Sequence, residues 1–515
     1  MVTLHEPDRD GRPWASLTAL AWVLVFVAGT LLLSAPAILN RVAFFFADSG
    51  AYVSGGQAAL AEFWKLLPGG LAETLAAPGG MGTPNPDTHL EAAEAPPFRP
   101  GPDAPGEPTI KGRSVYYAIF AYLGLLAGGL WSVVFVQALA LFWLVTLLCR
   151  RAFPASWPGP ALAAAAGLAF LTPAGLFAGM IMPDIWAGLL ILATALLATS
   201  WTGLGRLERL LLLGFVLFSV LSHLSHLLLL AALLLGLAAL LPFRTRIGIS
   251  GPPLAFMALC VGLGIAGDLA FSAAVERVTG APPISRPHLT AHLVDDGPGV
   301  DYLRAACPAA GFAVCAYADR LPMHWTRFLF GRTAEGAVFQ AASPEIKRAL
   351  AAEDKAFALA VARFRPAETA TFLLADGIDQ AGRFAVDRVP ATPHGLPAEV
   401  AEASRRSPAM TEPRLLAALT TSSYATAVLG IVLFGAGASA AAAGRPGARD
   451  GLLVIAAIAI LGVLINAAIC GILASPEGRF QARVVWIVPL VGSLLYFSRR
   501  ARRPGSGPTS SERFS

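Results

Sequence analysis

The fold class of this chain is decided by residues 16–38, SLTALAWVLVFVAGTLLLSAPAI, an apolar stretch with no charged side chain. About 20 apolar residues cross a lipid bilayer as a helix, because a helix satisfies its backbone hydrogen bonds within one segment. The stretch is long and lacks a small-residue cleavage site. It therefore predicts a retained membrane-spanning helix and not a cleaved signal peptide.

Similar apolar runs follow along the chain. The stretch 114–149 is too long for one span, and Gly128-Gly129 divides it into an interfacial helix at 114–127 and a true span. Further spans are predicted near residues 130–149, 159–173, 184–200, 208–223, 225–242, 254–274, 415–438, 451–473 and 484–497. The predicted fold is an all-α membrane protein with about ten transmembrane helices, interfacial helices and a mainly helical extracytoplasmic domain.

The composition supports a membrane class. Of the 515 residues, 56% are apolar and 14% are charged, so a soluble protein of this length would expose too much apolar surface. The 38 basic residues stand singly or in pairs beside the apolar runs. Because there is no basic tract, we expect no nucleic-acid partner. The strong preference for Arg over Lys is typical of a GC-rich genome and indicates a bacterium.

Arginines indicate which side each helix end faces, because cytoplasmic ends are enriched in Arg and Lys. Alternate ends of the apolar runs are flanked by Arg150-Arg151, Arg206 with Arg209, Arg244 with Arg246, Arg445 with Arg449, and the tail arginines Arg499, Arg500, Arg502 and Arg503. The pattern predicts a multi-pass protein of the bacterial inner membrane with both termini in the cytoplasm. The polar segments 39–112 and 275–413 are then expected to lie outside.

This topology divides the chain into six regions. They are the cytoplasmic N terminus with the first span (1–38), the first outer loop (39–129), spans two to seven (130–274), the extracytoplasmic helical domain (275–413), spans eight to ten (414–498) and a basic cytoplasmic tail (499–515). In the first outer loop, residues 40–75 are predicted to be helical and amphipathic, and the Pro- and Gly-rich residues 76–112 to be a flexible loop. A capped helix is expected to begin at Ser343-Pro344-Glu345.

The five cysteines divide into two groups. Cys149, Cys260 and Cys470 lie within apolar runs, where a thiol behaves as a small hydrophobe. Cys307 and Cys315 lie in the second polar segment, in CPAAGFAVC, and an oxidising compartment favours a disulfide between them over two free thiols. No other Cys or His stands near them at ligand spacing, so a metal site is not predicted there.

Acidic residues at the outer helix ends are the first candidates for chemistry, because polar groups at membrane depth are costly. Asp48 directly follows the first span, in FFFADSGAY. A carboxylate that is partly desolvated there is suited to act as a base, although its position alone favours a cap of the next helix. Asp184, after Met182-Pro183, stands at the start of the fourth span, where it either caps the helix or faces the same outer plane as Asp48.

Histidine and arginine complete the set of candidates. His223 and His226 in SHLSH share one face if the helix is continuous, or cap the ends of two helices if the chain turns there. No third metal ligand is evident.

Arg479 and Arg483 precede the last span on the outer side, against the positive-inside trend. Because they are four residues apart, they point the same way on a helix. Their guanidinium groups suit a phosphate or diphosphate; the alternatives are pairing with acids of the outer domain, or snorkelling.

These outer residues resemble the site of the C-type membrane glycosyltransferases, which use polyprenyl-phosphate-linked sugars outside the cytoplasm. In that superfamily an acid follows the first span and opens a loop with interfacial helices, as Asp48 does in ADSGAY. An Arg-aromatic pair often precedes a late span, as Arg479-Phe480 does here. The Met-Pro-Asp sequence at 182–184 is similar to a segment of uncharacterised bacterial members.

The resemblance implies that Asp48 is the general base for the acceptor hydroxyl, or positions it. Arg479 and Arg483 would hold the donor phosphate and stabilise it as a leaving group. The implied substrate-binding set further contains Asp184, Arg113, His223 and Tyr52. The expected partners are membrane lipid, a lipid-linked sugar phosphate, and a glycan, lipid or protein acceptor. The chain has Asp48-Ser49 where paired acids are common in the superfamily, so a divalent metal is an open alternative and no cofactor is predicted as certain.

Two other classes compete with the transferase. A non-catalytic component of envelope polysaccharide assembly or export would have the same topology without a site. A secondary transporter is the least favoured class, because it is expected to carry charged or Gly/Pro-broken midplane helices, often in repeated halves. The midplanes here are almost wholly Leu, Ala, Val and Ile, with Asn466 as the main exception.

Overall fold

A computed structural model describes residues 18–64, 107–331, 333, 336–393, 395–442 and 451–501. Most of the predicted Pro- and Gly-rich loop at 76–112 falls outside these ranges. So do nearly all of the residues before the first helix, the pair Arg445 and Arg449, and the tail arginines Arg502 and Arg503.

The described residues are mainly helical with almost no strand, which confirms the all-α class. Their helices are α1 (Ala19–Leu39), α2 (Ser49–Trp64), α3 (Val115–Gly128), α4 (Leu130–Ala152), α5 (Pro158–Leu171), α6 (Ala174–Ala178), α7 (Ile185–Ser200), α8 (Arg206–Ser222), α9 (Leu224–Ala239), α10 (Arg244–Ile247), α11 (Gly251–Thr279), α12 (His288–Leu293), α13 (Gly299–Ala306), α14 (Trp325–Phe330), α15 (Pro344–Phe364), α16 (Pro366–Gly382), α17 (Ala398–Arg405), α18 (Pro408–Thr411), α19 (Pro413–Ala442), α20 (Gly451–Leu473), α21 (Gly478–Val485) and α22 (Ile487–Ala501). Two short parallel strands, β1 (Ile110–Lys111) and β2 (Ile284–Ser285), pair with each other.

Seven helical segments of the described residues are long and apolar enough to cross a membrane: α1, α4, α7 together with the turn after it (Ile185–Gly203), α11, α19, α20, and α21 together with α22 (Gly478–Ala501). The number rises to eight if α9 and the segment Leu241–Ile247, which bend by 52°, form one span. This confirms a multi-pass helical membrane protein. Two of the predicted spans fall short, because α5 has 14 residues and α8 has 17 with charged residues in its first turn. The total of ten spans therefore stays a prediction.

The bundle has a buried centre and an apolar exterior. Nearly every residue of α7 is buried, since α4, α8 and α20 pack around it. By contrast, α1, α11 and α19 expose large apolar side chains such as Leu24, Leu259 and Val428. An apolar exterior of this kind is stable only when lipid replaces water as the solvent.

Two chain breaks set the geometry of the first polar segment. Gly129 has φ 75°, a conformation that favours glycine, and it separates α3 from α4 as predicted. The prediction that residues 40–48 are helical is wrong. Arg41 has φ 66° and turns the chain, and Phe44 then pairs with the segment before α7, its N–H donating to the carbonyl of Gly179 (2.9 Å). The amphipathic helix therefore begins at Ser49.

The second polar segment contains its own apolar core. Phe328, Phe339 and Phe357 are fully buried within it, separate from the core of the bundle. We call residues 284–372, which surround this core, the polar domain. As predicted, Ser343 caps α15, its hydroxyl accepting the N–H of Ile346. The Cys307–Cys315 disulfide is also present, which confirms the predicted pair.

Labelling of introduced cysteines tests the side on which the polar domain lies. Asp296→Cys, at an exposed position of this domain, is expected to react with a membrane-impermeant maleimide in intact cells. Gly447→Cys, between α19 and α20, should react only after the cells are permeabilised, because the positive-inside pattern places it in the cytoplasm. The opposite labelling of the two positions would reverse the predicted orientation.

Candidate functional site

Asp48 and Arg113 form the first ion pair of the site. Asp48 immediately precedes α2 and Arg113 lies just before α3, and the Arg113 Nη2 donates to Asp48 Oδ1. Each side chain remains about a third or a quarter exposed, at 35% and 26%. Burial alone would raise the pKa of the Asp48 carboxyl, but the charge and hydrogen bond of Arg113 outweigh it and lower this pKa below its usual value. Asp48 is therefore ionised at neutral pH.

Arg286 brings a third charge to this pair from the second polar segment. Arg286 directly follows β2. Because β2 pairs with β1, Arg286 lies beside the residues just before Arg113. An added Cβ on Gly112 would lie 2.8 Å from the Arg286 guanidinium. Burial and the charge of Arg113 lower the Arg286 pKa to about 10, and Asp48 partly offsets them. The group stays cationic at neutral pH, and its Nε is buried with no hydrogen-bond partner among the described residues.

Asp184 and Arg479 form a second, buried ion pair. Arg479 Nε and Nη2 donate to the two carboxylate oxygens at 3.0 and 2.8 Å, which is the bidentate geometry that a planar guanidinium favours. The Asp184 side chain is 1% exposed and that of Arg479 is 14% exposed. Asp184 stands at the N-cap position of α7, yet its side chain makes no capping hydrogen bond. The capping role that the sequence left open for Asp184 is therefore not seen, and its carboxylate instead binds Arg479.

Arg483 lies deeper beside the same carboxylate. Its Nη1 is 4.0 Å from Asp184 Oδ1, so Arg479 and Arg483 do point the same way on α21. Its Nη2 donates to Asn466 Oδ1 (2.9 Å) and Ser225 Oγ (3.0 Å), and the side chain is 3% exposed. The alternative in which these arginines pair with acids of the outer domain is not observed, because the acid beside them is Asp184, at the start of α7 in the bundle.

The SHLSH sequence is a break between two helices. Helix α8 ends at Ser222, and His223 is extended (φ −161°) and caps α9 by accepting the N–H of Ser225 through Nδ1 (3.1 Å). His226 is fully buried and its Nδ1 lies 3.0 Å from the carbonyl oxygen of Ser219. The turn is therefore the correct alternative, and Ser225 connects it to Arg483.

Phe46 connects the two ion pairs, because its ring contacts Arg479 and its backbone leads to Asp48. The Arg479 guanidinium carbon lies 3.9 Å from the centre of the Phe46 ring, two residues before Asp48. Tyr52 lies close to the charged groups of both pairs and is 2% exposed. Burial raises the pKa of its phenol, and the charges of Asp48 and Asp184 raise it further, so it stays neutral. The two ion pairs therefore belong to one site.

The combined cluster carries more positive than negative charge. Two carboxylates, from Asp48 and Asp184, face four guanidinium groups, from Arg113, Arg286, Arg479 and Arg483. Each of the helices α2, α3, α7, α9 and α21 begins at this cluster, and helix N-termini favour negative charge. The site is thus suited to an anion with about two negative charges, as expected for a phosphate group.

Some residues of the site were not predicted from the sequence. Arg286 was missed because nothing in the sequence marks the short β1–β2 pair that places it. Gln137, fully buried in α4, was missed although an amide within a span is itself a signal. Its Nε2 donates to the carbonyl of Met180 (2.8 Å) and its Oε1 accepts from the Tyr117 hydroxyl (3.1 Å), so it fixes the segment before Asp184.

Among the described residues, no group of three or more His, Cys, Asp or Glu side chains has the arrangement of a metal site. Two open cavities, of about 570 and 400 Å³, lie elsewhere: one is in the polar domain around Phe372, and one is beside Arg244. The cluster of Asp48 and Asp184 lines neither of them.

No protein family model, curated protein or solved structure matches this chain.

Proposed function

We propose that this protein is a membrane glycosyltransferase that moves a sugar from a lipid-linked phosphate donor to an acceptor outside the cytoplasm. The observation that carries the proposal is the joining of an ionised, partly exposed Asp48 to a cluster with an excess of arginine. A carboxylate beside a group of arginines that can bind a phosphate is what transfer from a sugar phosphate needs.

The proposed reaction assigns different roles to the two ion pairs. Arg479 and Arg286 bind the donor phosphate, because both lie at the cluster and planar guanidinium groups bind phosphate oxygens well. The bond between the sugar C1 and the phosphate oxygen breaks, and the phosphate leaves with the electron pair, stabilised by the arginines. The acceptor oxygen forms the new bond to C1. Its proton passes to Asp48, which is the partly exposed carboxylate of the site and is ionised.

Asp184 and Arg483 are proposed to position Arg479 and not to touch the substrate. Both side chains are almost fully buried, at 1% and 3% exposed. A bidentate carboxylate fixes the guanidinium plane of Arg479 before the donor arrives, so less conformational freedom is lost on binding.

A second candidate is a non-catalytic component of envelope polysaccharide assembly or export. The observation that favours it is that both carboxylates of the cluster are engaged by arginines, as structural ion pairs would be. In this alternative the cluster holds α2, α3, α7 and α21 together and performs no chemistry.

Lipid-linked sugars in a deletion strain distinguish the two candidates. If the chain is a transferase, its donor is expected to accumulate as a lipid-linked sugar phosphate, and the wild-type chain should restore the normal level. Extraction of total lipid and mass spectrometry would measure it, with a strain that lacks an unrelated multi-pass protein as the control. An unchanged pool together with loss of the polysaccharide would favour the non-catalytic role.

A further inference from the structure

Helix α16 has an exposed apolar stripe that the site does not use. Leu374 and Ile378 lie four residues apart on it and are 61% and 67% exposed. The small residues Ala367, Ala370 and Ala381 fall on the same side of the helix at helical spacing. The acids Glu368 and Asp379 fall on the neighbouring edge of the helix, where both are exposed. The exposed surface of α16 is therefore divided into an apolar and an acidic half.

The opposite face of α16 is fixed to both the polar domain and the bundle. Asp376 Oδ2 lies 2.6 Å from Nε2 of His292, which is buried in the polar domain. Gly377 and Gly471 bring α16 against the C-terminal end of the membrane-spanning α20. A Cβ on Gly471 would lie 2.4 Å from the backbone oxygen of Asp376, so the two helices touch through their backbones. Helix α16 is thus held beside the last turn of a span.

We propose that the Leu374–Ile378 stripe of α16 contacts lipid acyl chains, so that α16 is an interfacial helix of the membrane. The span that α16 packs against also has an apolar exterior, since Leu464 and Leu473 of α20 are exposed as well. An apolar face bordered by a charged edge is the pattern of helices that lie in the interface. Glu368 and Asp379 then face water while Leu374 and Ile378 face lipid.

Helix α16 is connected to the candidate site by Gln380, near the end of the helix. The fully buried Gln380 amide holds Glu477 at both backbone groups: its Nε2 donates to the Glu477 carbonyl (2.9 Å) and its Oε1 accepts the Glu477 N–H (2.8 Å). Glu477 is the N-cap residue of α21 and stands two residues before Arg479. The depth of α16 in the lipid therefore sets the position of the segment that carries Arg479.

Spin labels on α16 test the proposal, which is independent of the transferase activity. Leu374→Cys and Ile378→Cys would each be labelled with a nitroxide in the full chain and reconstituted into liposomes. Collision of the label with oxygen, which concentrates in the bilayer, is compared with collision with a water-soluble nickel chelate. Glu368→Cys, on the acidic edge of the same helix, is the matched control. The labelled wild-type chain measures the signal from its buried free cysteines.

We expect oxygen to relax the labels at 374 and 378 more strongly than the nickel chelate does, and the order to reverse at 368. A label at 374 or 378 that the chelate relaxes more strongly would show that the stripe faces water and overturn the proposal. A label that neither reagent reaches would show that a second copy or another protein covers the stripe, and would overturn it equally. Each variant is compared with the wild-type chain in size-exclusion elution, so that only folded protein is interpreted.

Discussion

Replacement of Asp184 by Ala is expected to destabilise the protein by about 3–5 kcal/mol, the largest effect of any single substitution that we predict. The carboxylate is 1% exposed and neutralises Arg479, which it binds through both oxygens, and Arg483 at 4.0 Å. Without it, two guanidinium groups remain close together and largely out of water. Breaking a buried ion pair from one side is costly because the remaining charge keeps its desolvation penalty.

Glu402 offers a matched control for Asp184. It also binds two arginines, Arg405 at 2.7 Å and Arg406 at 2.5 Å, but all three side chains are at least 40% exposed. Glu402→Ala is expected to leave the midpoint of unfolding almost unchanged, because water solvates the arginines that it releases. Unfolding of both variants in mixed micelles, followed by the loss of helical circular dichroism, measures the difference. Equal midpoints for Asp184→Ala and the wild-type chain would show that the buried pair is not structural.

The fold class and most residues of the candidate site were accessible from the sequence, because they depend on local signals. A long apolar run predicts a span wherever it occurs. Asp48 is visible as a polar group at membrane depth, and Arg479 as a departure from the positive-inside pattern. The Cys307–Cys315 disulfide followed from a short spacing and a predicted compartment.

The pairings within the site were not accessible, because they join distant parts of the chain. Asp184 and Arg479 are 295 residues apart, and no local pattern records that α7 and α21 lie side by side. Arg286 reaches the cluster through a two-residue strand pair, which is too short to leave a periodic signal. Gln380 could not be predicted either. It is fully buried, but only its contact with Glu477, which the sequence does not reveal, distinguishes it from a surface amide.

Replacement of Asp48 by Asn is expected to lower sugar transfer by about 10²–10⁴-fold, the range that a positioned general base contributes, while the protein level in the membrane stays unchanged. The substitution removes the negative charge and the proton acceptor but keeps the size of the side chain. Its effect on stability should be small, because the ion pair with Arg113 is a quarter to a third exposed. Transfer to the native acceptor in membranes of a complemented deletion strain measures the activity, and immunoblotting measures the level.

A variant of Arg113 distinguishes whether Asp48 acts as a base or only as a structural charge. Its guanidinium lowers the pKa of Asp48, so Arg113→Gln is expected to raise that pKa towards its usual value or above it, since burial then acts unopposed by this partner. If Asp48 must be ionised to accept the proton, the acidic limb of the pH–rate profile moves to higher pH in this variant. A uniform loss of rate with an unmoved limb would indicate that Asp48 only holds Arg113. Full activity of Asp48→Asn would contradict both roles and favour the non-catalytic alternative.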